Sequence, residues 1–369
     1  MSANAAEDVA GDAPAPTRRD TYRAPWWLRG AHLQTIVPAL FARRAEVPYT
    51  RERWDTPDGD FIEVDRLVQE SPPERTRPVL VVFHGLEGSA ESRYVRGLMA
   101  AAFARGWDGI APHFRGCGAS ANHLPRFYHS GDSDEVDWVL RRVAAKRTTT
   151  RAAGAIDVAP MFAVGISLGG NMLLKWLGER GAAARDVLAG AAAISAPMDL
   201  VASGDALGRG FNRVYARMFL HTLKAKSRAK LARYPDLFDR ARMEAARDLH
   251  DFDDVVTGPL HGFRDADDYW TRASSKPLLA NIEVPTLILN AKNDPFLPAF
   301  ALPTRAEVSS AVTLEFPDQG GHVGFVHAGR EGREWMPRHV MQFLAERGES
   351  RCVSSTNDPL HFDRTRRQA

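Results

Sequence analysis

The eleven residues from Phe162 to Met172 restrict the possible folds more than any other stretch of the chain. An apolar run with strand character, Met161 to Val164, ends in Gly165-Ile166-Ser167-Leu168-Gly169, after which Met172, Leu173, Trp176 and Leu177 recur at helical spacing. Ser167 therefore falls at the tip of a sharp strand-to-helix turn. Gly165 and Gly169 flank it because a side chain at either position would run into the neighbouring strand or helix. Such a turn holds the serine backbone in a strained conformation and pushes Oγ into the open. The start of the following helix also points free N–H groups toward developing negative charge. This is the G-x-S-x-G pattern of a nucleophile elbow.

The rest of the chain has the rhythm that such an element needs. Pro78-Val-Leu-Val-Val-Phe83 is a continuous apolar run, hence a buried strand, with its proline tolerated at the first position. It leads into His84-Gly85-Leu86-Glu87-Gly88 and a helix from about Glu91 to Arg105. Asp108 to Pro112 is a short strand, and Asp134 to Lys146 a helix with Val136, Val139, Leu140 and Val143 on one face. Further strands are expected at Ala189 to Ile194, Val284 to Ala291 and Val312 to Phe316. A helix near Leu302 to Ser309 is expected between the last two, and a final helix over about Glu331 to Arg347. Two earlier strands, within residues 46–68, are joined at Pro57-Asp58-Gly59 and make an antiparallel edge. Alternation of strands and helices from residue 79 onward predicts an α/β fold, a mostly parallel central sheet with helices on both faces. The rhythm breaks between Ala196 and Lys276, where only helical segments such as Phe211 to Lys230 and Asp236 to Arg247 occur; this is an inserted helical cap at about 200–275.

Length and composition fit one domain of this kind, over about residues 23–348, with disordered tails at 1–22 and 349–369. Hydrophobic residues make up 44% and charged residues 25%, a globular balance, and a net charge of +2 gives no sign of a nucleic-acid partner. Cys117 and Cys352 stand far apart in unlike contexts, with neither metal spacing nor a disulfide framework, so a reducing compartment and a cytoplasmic location are expected. Glu7, Asp8 and Asp12 precede any apolar run, which does not fit a secretory signal, and no stretch reaches the length of a membrane span. Tyr22 to Arg44 is rich in aromatic and aliphatic residues. It reads as an arm packed on the core, and peripheral membrane contact through Trp26 and Trp27, beside Arg29, Arg43 and Arg44, is the alternative.

A serine hydroxyl is a poor nucleophile until a base takes its proton and an acid orients that base. In this architecture the chain order is Ser, then Asp or Glu, then His. Asp294 follows the strand Pro285 to Ala291, where open α/β sheets carry functional groups, and His322 follows the strand ending at Phe316 through Gly320-Gly321. The two glycines let that loop fold close and bring His322 back toward Ser167. Asp before Pro is a common turn starter and loop histidines are commonly solvated, so the case rests on three residues falling at three strand ends in the required order. Asp199 satisfies the same order and is the reserve acid, whereas Asp318 is too near His322 in sequence to be a comfortable partner. For the oxyanion, Gly85 permits a turn that aims the Leu86 N–H inward, opposite the Leu168 N–H. His84 reads as a residue that fixes this turn by hydrogen bonds.

With these residues in hand, the chain resembles the YheT-like group of α/β-hydrolases. The matching stretches are Arg29-Gly-Ala-His-Leu-Gln-Thr-Ile36, His84-Gly-Leu-Glu-Gly-Ser89 with Ser92 and Tyr94, Phe114-Arg-Gly-Cys117, and Tyr128-His-Ser-Gly131, followed by Gly165 to Met172, Asn293-Asp-Pro-Phe296 and Gly320-Gly-His-Val-Gly-Phe325. The resemblance covers about residues 22–347 and departs at Gly118-Ala119, where relatives often carry a second glycine. It implies Ser167 as nucleophile, His322 as base and Asp294 as acid, with carboxylic ester hydrolysis, an acyl or lipid-like substrate and no cofactor or metal. Acyl transfer to an alcohol other than water would use the same residues, and a non-catalytic binding protein would show a broken set. Tyr128 and His129 match the group without a chemical role to assign. In the cap, Phe211, Val214, Tyr215, Met218, Phe219 and Leu223 form a stripe expected to pack on the main sheet, with an acyl-chain tunnel as the rival, and Lys224, Lys226, Arg228 and Lys230 read as a solvated face.

Overall fold

Alternation along single strands sets the layers of this molecule. In β3 (Val79–Phe83), Val79, Val81 and Phe83 face one hydrophobic cluster while Leu80 and Val82 face the other. The computed structural model describes residues 22–41, 44–69, 77–146, 149–150, 156–157, 159–329 and 332–354. Residues 1–21 and 355–369 of the expected disordered tails lie outside them, whereas 349–354, also expected to be disordered, are helical.

Eight strands form one sheet: β1 (Tyr49–Asp55), β2 (Phe61–Leu67), β3, β4 (Asp108–Pro112), β5 (Met161–Ile166), β6 (Gly190–Ile194), β7 (Thr286–Leu289) and β8 (Val312–Glu315). Their spatial order is β1-β2-β4-β3-β5-β6-β7-β8. β1 and β2 pair antiparallel in register from Tyr49 opposite Leu67 to Asp55 opposite Phe61, and β2 joins β4 antiparallel; every later pairing is parallel. The expected mostly parallel sheet with an antiparallel edge is what forms. Helix α1 (Ala31–Phe41) precedes it. On one face lies α2 (Arg93–Phe103), packed with the last helix; on the other lie α3 (Ser133–Ala145) and α4 (Leu168–Arg180).

The residues between β6 and β7 are helical. They include α5 (Leu200–Leu207), α6 (Arg213–Arg233), α7 (Arg240–Ala245), a helical run over 249–260 that widens to a π turn at Asp253–Thr257, and α8 (Ala266–Ala273). The last helix, α9, spans Trp335–Ser354 and so passes the end expected near Arg347.

Three local expectations are corrected. No α-helix forms at Leu302 to Ser309: two short 3₁₀ turns, Ala299–Ala301 and Arg305–Glu307, stand there instead. Pro298 and Pro303 block the hydrogen-bond ladder, and Thr304 with Glu307 closes a capping box within one turn (Thr304 N to Glu307 Oε2, 2.8 Å). The α6 stripe does not pack on the sheet. Tyr215 joins Phe296 and Leu207, Leu220 packs inside the cap, and Phe211, Val214 and Met218 are exposed. The α6 cations are not one solvated face either. Lys230 is buried, donating to Asn122 Oδ1 at 2.8 Å, and Lys226 donates to Glu87 Oε1 at 2.8 Å.

Candidate active site

Ser167 is held by backbone packing on both sides. It stands at φ 52°, ψ −120° between β5 and α4. A Cβ on Gly165 would collide with the backbone of Gly169 and Gly170, and one on Gly169 with the carbonyls of Phe83 and His84. The first turn of α4 thus meets the ends of β3 and β5 at backbone distance. Ser167 N donates to Ile194 O at 2.8 Å, fixing the turn to β6.

The loops after β7 and β8 converge on this serine. His322 Nε2 lies 2.9 Å from Ser167 Oγ, and its Nδ1 lies 2.9 Å from Asp294 Oδ2 and 3.1 Å from Oδ1. A carboxylate only accepts, so Nδ1–H donates to Asp294 and Nε2 is left to accept from the serine hydroxyl. The Asp294 side chain is fully buried, and its Oδ1 also accepts from Phe296 N at 2.8 Å. The Phe296 ring lies against the imidazole with centroids 4.1 Å apart. Asp199, the reserve acid, is elsewhere: it caps α5, accepting from Ala202 N at 3.0 Å. Asp318 pairs with Lys292 at 2.8 Å in solvent.

Leu86 and Leu168 flank the serine and line the same cavity as Ser167 and His322. Gly85 comes so near that a Cβ on it would stand 3.2 Å from Ser167 Cβ. Neither the Leu86 nor the Leu168 N–H donates to another described residue, and Leu168 opens α4, where first-turn N–H groups lack intrahelical partners. His84 fixes the turn between them. Its Nδ1 donates to Gly85 O at 2.7 Å and its Nε2 accepts from Phe114 N at 3.1 Å, and burial pushes its pKa down to about 3, so the ring stays neutral.

The cavity encloses about 1040 Å³, its open mouth included, between the sheet edge and the cap. Phe219, Leu223, Leu249 and Phe252 supply apolar wall from the cap side. Polar groups interrupt this wall: Ser203 Oγ, Ser227 Oγ and His261 Nε2 are buried with no hydrogen-bond partner among the described residues, whereas Glu87 Oε1 accepts from Tyr128 OH at 2.9 Å and from Lys226 Nζ at 2.8 Å, which ties α6 to the turn after β3. This gives Tyr128 a structural task. His129 lines the cavity beside His261, with ring centroids 4.6 Å apart, and burial pushes both imidazoles down to about 3.

Comparison with known proteins fits this geometry. The model of the alpha/beta hydrolase fold family matches residues 78–328. The chain is an α/β-hydrolase. Within that family it belongs with the YheT-like proteins: it is 42% identical to YheT of Escherichia coli K12 over 299 residues, 80% of this chain and 84% of that protein. It is 26% identical to mouse phospholipase ABHD3 over 84% of this chain and 74% of that protein, and 28% identical to a yeast monoacylglycerol lipase over 73% and 59%. Among solved structures, the 2,6-dihydroxy-pseudo-oxynicotine hydrolase superposes with a TM-score of 0.51 at 18% identity, covering 85% of this chain and 72% of the other. That likeness concerns the fold.

This α/β-hydrolase also uses residues that motif reasoning left without a role. Gln34 is buried under the site: its Oε1 accepts from Asn293 Nδ2 and from Gly320 N, each at 2.9 Å, and its Nε2 donates to Leu28 O and Gln319 Oε1, each at 2.8 Å. Thr35 Oγ1 accepts from His322 N at 2.9 Å, and Asn293 Oδ1 from Gly321 N at 3.0 Å. One helical turn of α1 therefore ties the loop bearing Asp294 to the loop bearing His322. Gly321 and Gly324 are required there, because a Cβ on either would strike the Gln34 backbone. The available signal was a polar pair, Gln34-Thr35, inside an otherwise apolar helix.

Proposed function

We propose that the protein hydrolyses a carboxylic ester through Ser167, His322 and Asp294, with an acyl-enzyme intermediate. The observation that carries this reading is the unbroken run of hydrogen bonds from Ser167 Oγ through His322 to Asp294, opening on a largely apolar cavity. Ser167 Oγ bonds to the ester carbonyl carbon as its proton passes to His322 Nε2, and the carbonyl π electrons move to oxygen. The Leu86 and Leu168 N–H groups take up that charge. Collapse breaks the bond to the alcohol oxygen, which leaves with the proton from His322. Water then attacks the acyl carbon, giving one proton to His322, and the carboxylic acid departs as Ser167 regains its hydrogen. Asp294 keeps the imidazole tautomer and stabilises the imidazolium throughout.

The apolar wall fits an acyl chain, and relatives named phospholipase and monoacylglycerol lipase support an acyl-lipid ester as the substrate class. The test is labelling with a fluorophosphonate, wild type beside Ser167→Ala, followed by turnover of p-nitrophenyl esters of increasing chain length. Labelling and turnover in the wild type that vanish in the variant are expected; equal labelling of both proteins would remove Ser167 from the mechanism.

A further inference from the structure

Helix α1 is built inside out. Its buried positions are Gln34, Thr35 and Pro38, whereas Leu33, Leu40 and Phe41 are 52%, 58% and 69% exposed. A helix whose outer face met only water would carry the opposite pattern. Just before it, Trp26 and Trp27 are exposed as well. Of the eleven large apolar side chains exposed among the described residues, nine lie on three segments: this arm, the start of α6 with Phe211, Val214 and Met218, and the turn that carries Phe300. Those segments meet. The His32 ring of α1 lies 4.5 Å from the ring of Phe211, and Asn212 Nδ2 donates to Pro295 O at 2.6 Å, beside the turn with Phe300.

Charge on the same three segments has one sign. Residues 22–45, 206–220 and 295–306 contain no aspartate or glutamate in a chain with 46 of them, yet hold eight arginines. Arg29, Arg213 and Arg217 form no ion pair with any described residue. Nearby, Arg209 is held by Asp205 at 3.2 Å. Exposed tryptophans and aliphatics among unpaired arginines are the composition of an interfacial membrane surface, not of a face kept in water. Packed rings also link the patch to the site. From exposed Phe211, aromatic rings pass through Tyr215 and Phe296 to His322, with successive centroids 6.0, 4.9 and 4.1 Å apart.

We propose that this face docks on an anionic lipid bilayer. The acid-free charge selects an anionic bilayer over a zwitterionic one, and the arm's tryptophans reach into the headgroup region. The proposal does not depend on what Ser167 does. It is therefore tested with full-length Ser167→Ala protein, which leaves the lipid intact if the ester reading holds and binds alike if it does not.

The measurement is co-sedimentation with extruded vesicles of phosphatidylcholine alone and of phosphatidylcholine with roughly one third phosphatidylglycerol. Binding to the second kind, declining with salt, is expected. Replacing Trp26, Trp27 and Phe41 together by Ser should raise the lipid needed for half-binding roughly tenfold or more. Arg213→Glu with Arg217→Glu should abolish the preference for the anionic vesicles. All five side chains are exposed, so thermal midpoints should not move; if the triple variant does unfold, Leu40→Glu alone serves in its place. Absence of binding to anionic vesicles would overturn the proposal, as would aromatic and Leu40 variants that bind like the parent. A dimer at sedimentation equilibrium that the same substitutions dissolve, without vesicle binding, would assign the face to a second copy of the chain instead.

Discussion

Ser167 occupies a backbone region that side chains with a Cβ enter only under constraint, and it has company. Every non-glycine residue with positive φ among those described, Glu87, Ser167, Ser195, Val323 and Phe325, lies on a loop around the site. Each costs on the order of 1–3 kcal/mol and persists only where surrounding contacts impose it. Val323 N donates to Ser195 Oγ at 3.0 Å, so two of the strained residues restrain each other. Gln34 does the same for the loops. Gln34→Leu would keep the volume and remove four hydrogen bonds, leaving Gly320 N–H buried without its acceptor. The expected result is a fall in kcat of roughly tenfold to a hundredfold with KM little changed, because the distance from His322 to Ser167 loosens while the cavity walls stay. A loss of about 1–3 kcal/mol in unfolding free energy should accompany it. A variant that loses the stability but keeps kcat would make Gln34 a core residue and nothing more.

Elements differ in how openly the sequence declares them. β3 and β5 are buried on both faces and show as unbroken apolar runs, and the elbow between β5 and α4 is fixed by two glycines whose neighbours exclude any side chain. Ser167, Asp294 and His322 could be picked out because strand ends in an α/β sheet converge, a rule that needs no long-range detail. Where the partner lies far along the chain, the reading fails. The inward face of α1 is polar because it meets loops some 260 to 290 residues later, as in the Gln34 to Asn293 and Gly320 bonds, and no local pattern announces that. Lys226 and Lys230 look like surface charge until the turn after β3 and the Asn122 loop supply their acceptors. The π turn at Asp253–Thr257 is equally hidden, and it half-buries a carboxyl that lines the cavity. Burial raises Asp253 from 3.8 to about 6, although Thr257 Oγ1 at 2.6 Å and Trp270 Nε1 at 2.8 Å donate to it. The folded protein then keeps a proton that the unfolded chain has released between about pH 4 and pH 6, so this carboxyl makes stability fall as pH rises through that window, by on the order of 2–3 kcal/mol, and adds no slope above it. Asp253→Asn retains an acceptor for Trp270 and has nothing to titrate. Urea unfolding of both proteins across that range should show the variant gaining on the wild type as pH rises; parallel curves would mean that Asp253 titrates as an ordinary carboxyl.

At the scale of the whole molecule, the sheet and the cap divide the work. Sheet loops and α4 hold Ser167, His322, Leu86 and Leu168, the groups that touch the reacting carbonyl in the mechanism we propose. The cap supplies much of the far wall through Phe219, Leu223, Leu249 and Phe252, and meets the sheet side through paired contacts such as Lys226 with Glu87 and Asn171 Nδ2 with Ala273 O at 2.9 Å. Acyl-chain preference should therefore be alterable from the cap without touching the chemistry. Leu223→Trp is the direct case. The side chain is half-buried and faces the cavity, so a larger ring takes up space that a chain would fill, at a packing cost of about 1–3 kcal/mol or less. The optimum over a series of p-nitrophenyl esters should move to shorter chains, with kcat/KM for the acetate ester within about threefold of wild type and the labelling rate with a small fluorophosphonate unchanged. The short ester and the small probe occupy only the sheet side, so they report whether the reacting groups have been disturbed. An optimum that stays put would show that the acyl chain leaves by another path, and one that moves together with a slower probe reaction would mean that the cap also shapes the chemistry.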